Sequence, residues 1–219
     1  MMETSSIIVK QFRTGGDRNF GYLVACQQTR EALVIDASFD PDMIVTFAHD
    51  HGFVLRYLFS THGHSDHTNG NEAFMQMTAL EPLLYGSTCS RTGIEVIDGA
   101  LFPLGLLNVC ILYTPGHTSD SMCLHIDNAL FTGDTLFTGK VGGTTTEEQA
   151  REEYNSLHQK IMNLPDNTTI YPGHDYGVTP TTSIMSERIN NPFLQQETFK
   201  DFLFLKENWV SYKKSHGIL

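Results

Sequence analysis

Within Thr61-His62-Gly63-His64-Ser65-Asp66-His67, three imidazoles and a carboxylate fall inside six residues, directly after the apolar run 54–60. A polar cluster this dense at the end of a strand is either a solvated loop or half of a metal site. Imidazole nitrogen together with carboxylate oxygen suits zinc, iron and manganese, and no thiolate interrupts the set. On the metal reading, the fold has to bring further nitrogen and oxygen donors to the same strand end.

With 40% hydrophobic residues and 14 Phe, the 219 residues suffice for a substantial core. No low-complexity linker or charge block divides them, so 1–219 is expected to be a single domain with a helical tail over 192–219. The net charge of −11 argues against nucleic acid and anionic membranes as partners, because both need clustered Lys and Arg. Cys26, Cys89, Cys110 and Cys123 are scattered without a C-x-x-C and read as free thiols. The first ten residues lack a basic region followed by a long apolar one, and no apolar run approaches membrane-spanning length; a cytoplasmic location is expected.

Apolar runs bounded by turn formers predict strands over 7–12, 20–26 and 32–36, arranged as a meander. Asp40 at an N-cap and Pro41 at the first helical position open a helix that carries Met43, Ile44, Phe47 and Ala48 until Gly52 stops it. His49 and His51 in its last turn suit the macrodipole and carry no functional expectation. After the strand 54–60, residues 69–80 have mixed helical spacing, with Met75 and Met77 expected as core filler.

Short strand-like runs follow at 82–85, 94–97, 101–104, 107–113, 121–126 and 129–132. Thr146-Glu147-Glu148-Gln149 is a capping-box pattern for a helix to about residue 163, with His158 beside its apolar stripe as a surface or interface residue. A strand over 168–171 and one amphipathic helix over 198–214, rich in Phe and containing Trp209, complete the chain.

His62, His64, Asp66 and His67 follow one strand, His117 a second, Asp134 a third and His174 a fourth. Taken singly, His117 and His174 read as loop histidines and Asp134 as a turn former. Their common placement at strand ends lets seven donors converge at one edge of a rigid scaffold. That is more than one tetrahedral ion uses, and two ions sharing a carboxylate would use them all.

The motif 61–67, with Pro115-Gly116-His117-Thr118, Gly133-Asp134-Thr135-Leu136-Phe137 and Pro172-Gly173-His174-Asp175-Tyr176, resembles the metallo-β-lactamase superfamily and its glyoxalase II-like (hydroxyacylglutathione hydrolase-like) branch. The resemblance implies an α/β fold, an αββα sandwich of two mixed β-sheets flanked by helices, with the metal site at one edge of the sheets. It implies two divalent metal ions, zinc first with iron or manganese as alternatives. His62, His64 and His117 would hold one ion, Asp66, His67 and His174 the other, and Asp134 would bridge.

Such a centre activates water for hydrolysis of a thioester, with Asp66 as the expected catalytic residue that orients the water and takes its proton. Tyr176 matches the tyrosine that helps hold glutathione in that branch. The family's basic Gly-x-Gly-Lys/Arg stretch is replaced by Gly139-Lys140-Val141-Gly142-Gly143, its lysine displaced by about three positions, which leaves Lys140 as the candidate. The tail lysines Lys206, Lys213 and Lys214 read as solvated surface residues. The expected partner is a small-molecule thioester or thiol-derived substrate, with no nucleic acid and no membrane; a homodimer is an allowed assembly.

A second resemblance is to persulfide dioxygenases, through residues 171–176 and Glu187-Arg188-Ile189-Asn190-Asn191-Pro192. It implies a single iron held by His62, His117 and Asp134, although the characteristic Gly-Cys-Gly-Arg stretch is absent. A metal-binding module without enzymatic activity is the third reading.

Overall fold

A computed structural model describes residues 6–217. The strands β1 (Ile7–Gly15), β2 (Asn19–Cys26) and β3 (Glu31–Ile35) form the expected antiparallel meander. Helix α1 (Pro41–Asp50) then crosses over to β4 (Val54–Phe59), which pairs in parallel with β3. Its N-cap is Asp40, whose carboxylate accepts from Met43 N–H at 3.2 Å. Two short helices, α2 (Ser65–Thr68) and α3 (Asn71–Thr78), lead to β5 (Pro82–Leu83) and close a five-stranded sheet in the order β1-β2-β3-β4-β5.

The second half builds a six-stranded sheet. Its meander is β6 (Leu101–Leu104), β7 (Leu107–Tyr113), β8 (Met122–Ile126) and β9 (Ala129–Gly133). A hairpin of β10 (Leu136–Phe137) and β11 (Lys140–Val141) precedes α4 (Glu147–Gln159), which is capped by the Thr146/Gln149 box. Strand β12 (Thr169–Pro172) returns parallel to β9, and β13 (Thr182–Ser183) ends the order β13-β12-β9-β8-β7-β6. Helices α5 (Ile184–Asn190), α6 (Phe199–Glu207) and α7 (Trp209–His216) follow.

Both sheets are mixed, and they stack face to face. Tyr22, Val24, Leu33, Ile35 and Phe59 of the first interdigitate with Phe102, Val109, Ile111, Leu124 and Phe131 of the second. Alternation along β2 sends Leu23 and Ala25 to the opposite face, where Ile44 and Ala48 of α1 and Phe74 of α3 cover them. On the far side, Cys123, Leu130 and Ile170 are covered by Leu157 of α4, Ile184 of α5 and Phe202 of α6. The layers are therefore helix, sheet, sheet, helix, the αββα sandwich expected.

Several local expectations give way. Residues 94–97 are not a strand; one bridge, Thr88 to Glu95, is all that forms there. Met75 and Met77 are each 41% exposed, because the short α3 turns only its Asn71/Phe74 side inward. The tail is two helices, broken at Asn208, whose side-chain amide donates to Phe204 O at 2.8 Å and so caps α6. Among the described residues, no helix is long and apolar enough to cross a membrane.

Candidate metal centre

Parallel pairing decides where the polar residues meet. β3 runs parallel to β4, and β9 parallel to β12; β7 is antiparallel to β8, which is antiparallel to β9, so β7 shares their direction. Within each sheet these strands end on one side, and the contacts of His64 with His117 and of His67 with Asp134 bring both sets of ends to the same edge of the sandwich. Asp36 follows β3, His62 follows β4, His117 lies four residues past β7, Asp134 follows β9 and His174 lies two residues past β12. The motif is loop only as far as His64; Ser65 opens α2, whose single turn carries Asp66 and His67.

All seven candidate residues come together in overlapping groups. His62, His64 and His117 form one, and Asp66, His67 and His174 another, each with ligand-capable atoms within 4.8 Å of one another. In the first, His64 turns Nδ1 to His62 Nε2 at 3.0 Å and to His117 Nε2 at 3.1 Å. In the second, the Nε2 atoms of His67 and His174 approach to 3.2 Å, and Asp66 Oδ2 is 3.4 Å from His174 Nε2. Asp134 stands between the groups, with Oδ2 3.6 Å from His117 Nε2 and 3.4 Å from His174 Nε2, and Oδ1 3.3 Å from His67 Nε2. That Oδ1 is buried without a hydrogen bond.

The outward nitrogens explain why so many lone pairs can point at each other. His67 Nδ1 donates to Asp36 Oδ2 at 2.9 Å, His117 Nδ1 to Gly143 O at 2.8 Å, and His174 Nδ1 to Asp17 O at 2.8 Å. In neutral imidazole, a donating Nδ1–H leaves Nε2 as the lone-pair nitrogen, so these partners aim three Nε2 lone pairs into the site. A donor set of imidazole nitrogens and carboxylates, with an orphaned buried oxygen among them, fits a bound divalent cation.

Electrostatics agree with the geometry. Burial, with the neighbouring His67, drives the His62 imidazole down to about 2. Burial also opposes charge on His67, but Asp36 and Asp134 outweigh it and raise this imidazole to about 11, so the proton drawn to Nε2 is one that a bound cation would displace to reach the lone pair. Asp134 is held well below the usual carboxylate range; burial resists, and His174 and His67 prevail. Buried carboxylates meeting here require a positive charge among them.

Two residues outside the predicted set complete the framework. Asp36 is 1% exposed and accepts from Thr61 N–H and Thr61 Oγ1, each at 2.8 Å, as well as from His67. Its position at a strand end beside the motif was the available signal. Asn19, the first residue of β2, is fully buried and donates to Asp66 Oδ2 at 3.0 Å and Asp66 O at 3.1 Å. Gly173 leaves room for the centre, since a Cβ there would collide with Asp134 Oδ1 and lie 2.9 Å from His67 Cε1.

Lys140 and Tyr176 also meet. The β10–β11 hairpin folds Lys140 Nζ to 3.7 Å from the Tyr176 ring centroid, and that ring stacks on His174 at 4.6 Å. The Tyr176 hydroxyl donates to Asp17 Oδ2 at 2.6 Å. Burial lowers the Lys140 ammonium, with Lys213 and Arg18 adding to the effect against the pull of Asp134. Beside them opens a cleft of about 380 Å³ lined by Lys140, Gly143, Thr145, Phe193 and Trp209. Lys206 is not a solvated surface lysine: it is ion-paired with the buried Glu153 and donates to Gly142 O at 2.7 Å.

The sequence profile of the metallo-beta-lactamase superfamily matches residues 14–85 and 84–174, a span that holds all seven donors. This chain belongs to the metallo-beta-lactamase superfamily. The superfamily is one of enzymes whose members bind divalent metals. Among its relatives, a hydroxyacylglutathione hydrolase from Nitrosococcus oceani is 38% identical over 168 residues, 73% of this chain and 63% of that protein. This superfamily member spans about two thirds of the length of the hydroxyacylglutathione hydrolases it matches. A probable polyketide biosynthesis zinc-dependent hydrolase, BaeB, from Bacillus velezensis is 31% identical across 91% of this chain and 90% of its own. Among solved structures, ETHE1 from Myxococcus xanthus, on the persulfide dioxygenase side of the resemblance, superposes with a TM-score of 0.83 at 30% identity, covering 92% of this chain and 91% of that one.

Proposed function

We propose that the enzyme is a metal-dependent hydrolase with two divalent ions, zinc first and iron or manganese as alternatives, that cleaves a small hydroxyacylglutathione-like thioester. The observation that carries this reading is the pair of donor groups with Asp134 between them. His62, His64 and His117 would hold one ion and Asp66, His67 and His174 the other, with Asp134 available to both. Bound there, the ions supply Lewis acidity and a water acidic enough to ionise near neutral pH.

Asp66, 38% exposed and steadied by Asn19, orients the attacking water and accepts its proton. Tyr176 and Lys140 take the thiol-derived part of the substrate. Water is the nucleophile, so no serine or cysteine is required for that role, and the departing thiolate needs little protonation. Relatives named hydroxyacylglutathione hydrolase at 31–38% identity support the thioester, and the zinc-dependent relative supports zinc. The chain acts as one domain, and its four free thiols suit the cytoplasm.

The likeness to ETHE1 over nine tenths of both chains favours a second reading, a persulfide dioxygenase with one iron on His62, His117 and Asp134. Metal analysis of anaerobically purified protein, paired with substrate assays, separates them. Two metals per chain and thioester cleavage without oxygen uptake are expected. One iron per chain with oxygen uptake on glutathione persulfide would overturn the hydrolase.

A further inference from the structure

Glu153 on α4 is fully buried and paired with Lys206 on α6, whose side chain is 11% exposed. Replacing a buried ion pair with apolar residues of similar volume is often neutral or stabilising, so stability alone gives no reason for this one. Its surroundings do. Gly116, at φ +144, packs so closely on Glu153 that a Cβ there would strike the Glu153 backbone, and Ser156 Oγ, one turn along α4, donates to Pro115 O at 2.8 Å. The segment that presents His117 therefore rests on α4.

Lys206 acts on the other side of the same imidazole. Its ammonium donates to Gly142 O at 2.7 Å, and the next carbonyl, Gly143 O, receives the His117 Nδ1–H at 2.8 Å. Gly142 is wedged in place: a Cβ there would collide with Asp134 O, lie 3.0 Å from Glu153 Oε1 and 3.1 Å from His117 Cβ. Helix α4 thus fixes the backbone that carries His117, and Lys206, paired with Glu153, fixes the peptide next to the carbonyl that sets its tautomer.

We infer that Lys206, with Glu153, is a positioning residue for His117, and that through it the tail helix α6 controls metal affinity at the group formed by His62, His64 and His117. The inference rests on the proposed metal reading of that group. Zinc binding to the full-length protein, followed by competition with a chromophoric chelator, tests it alongside thermal unfolding.

Lys206→Met is expected to weaken one zinc equivalent by about tenfold, as loss of an outer partner does, and to leave the other unchanged. Lys206→Arg should recover part of the loss. In Glu153→Leu combined with Lys206→Met, no charge is buried unpaired, so the melting temperature should return to the wild-type value or above while zinc affinity stays low. This paired variant decides the matter if Lys206→Met does not fold. Wild-type affinity for both zincs in the paired variant would overturn the inference. His117→Ala is the reference: if it binds zinc normally, the metal reading falls and the inference with it, whereas if it loses zinc and the Lys206 variants do not, only the inference falls.

Discussion

Asp36 touches no substrate, yet its replacement should separate folding from metal binding. Its carboxylate serves three buried donors, Thr61 N–H, Thr61 Oγ1 and His67 Nδ1. Asp36→Ala strands all three, because His62 Nδ1, 3.1 Å from Thr61 Oγ1, keeps its own proton while Nε2 faces the centre and so cannot accept the hydroxyl. At about 1–3 kcal/mol for each unsatisfied buried group, the loss is about 3–9 kcal/mol. Against a typical total of about 5–15 kcal/mol, that is enough to unfold part of the population at growth temperature.

Asp36→Asn behaves differently because it is isosteric. One orientation of the amide keeps the oxygen on Thr61 and turns the NH2 to His67, whose Nδ1 can then only accept, placing the proton on Nε2 and removing the lone pair aimed into the centre. Flipping the amide instead opposes the Thr61 N–H. Stability should fall little, while zinc affinity should fall about 10–100-fold, or about 1.4–2.7 kcal/mol. Chelator competition and thermal unfolding on both variants measure the two quantities. An Asn variant that binds two zincs as tightly as wild type would refute the tautomer reasoning.

Asn19→Ala should lower kcat/KM about 10–100-fold and weaken the zinc equivalent held by Asp66, His67 and His174, which steady-state kinetics and metal titration would show. Lys140→Met should raise KM for a glutathione thioester roughly ten- to a hundredfold with kcat little changed, as expected when a charged hydrogen bond of about 1.5–3 kcal/mol is lost in binding alone. Burial raises the Glu153 carboxyl to about 7 against the pull of Lys206. Between its ordinary value near 4.5 and 7, the unfolded chain has released this proton and the folded chain still holds it. This group therefore makes stability fall as pH rises through that window, and the fall ends above 7. Melting temperatures across pH 4.5–8 should show that slope flattened in Glu153→Gln.

What could be read from the sequence was whatever local chemistry announces. The Asp40/Pro41 start of α1, the Thr146/Gln149 box of α4 and the clustered histidines after β4 each carry their signal within a few residues. Lys206 carried none, because an amphipathic tail lysine looks solvated until its partner, 53 residues away, is brought beneath it. Gly143 O and Asp17 O, which set two imidazole tautomers, are backbone atoms and leave no mark in residue identity. Lys140 is displaced along the chain by about three positions, and only the tight β10–β11 hairpin shows that it folds back over Tyr176. The break at Asn208 was missed because a side chain that caps one helix also fits, by periodicity alone, within a longer one.

The centre lies on the seam between the two sheets. The five-stranded sheet supplies His62, His64, Asp66 and His67 through the end of β4, and the six-stranded sheet supplies His117, Asp134 and His174 through β7, β9 and β12. Each proposed ion then takes ligands from both halves of the chain, two from the first and one from the second, with Asp134 adding to both. Direct protein bonds cross the same seam: Tyr22 of β2 donates its hydroxyl to Pro172 O at 2.5 Å, and Phe20 N–H donates to Gly173 O at 2.8 Å. The backbone that presents His174 is therefore fixed by the opposite sheet. This explains how imidazoles that would repel as a fully charged set are held within 3.0–3.2 Å of one another. The core packing and the outward hydrogen bonds preorganise the donors, so binding energy need not be spent on assembling them.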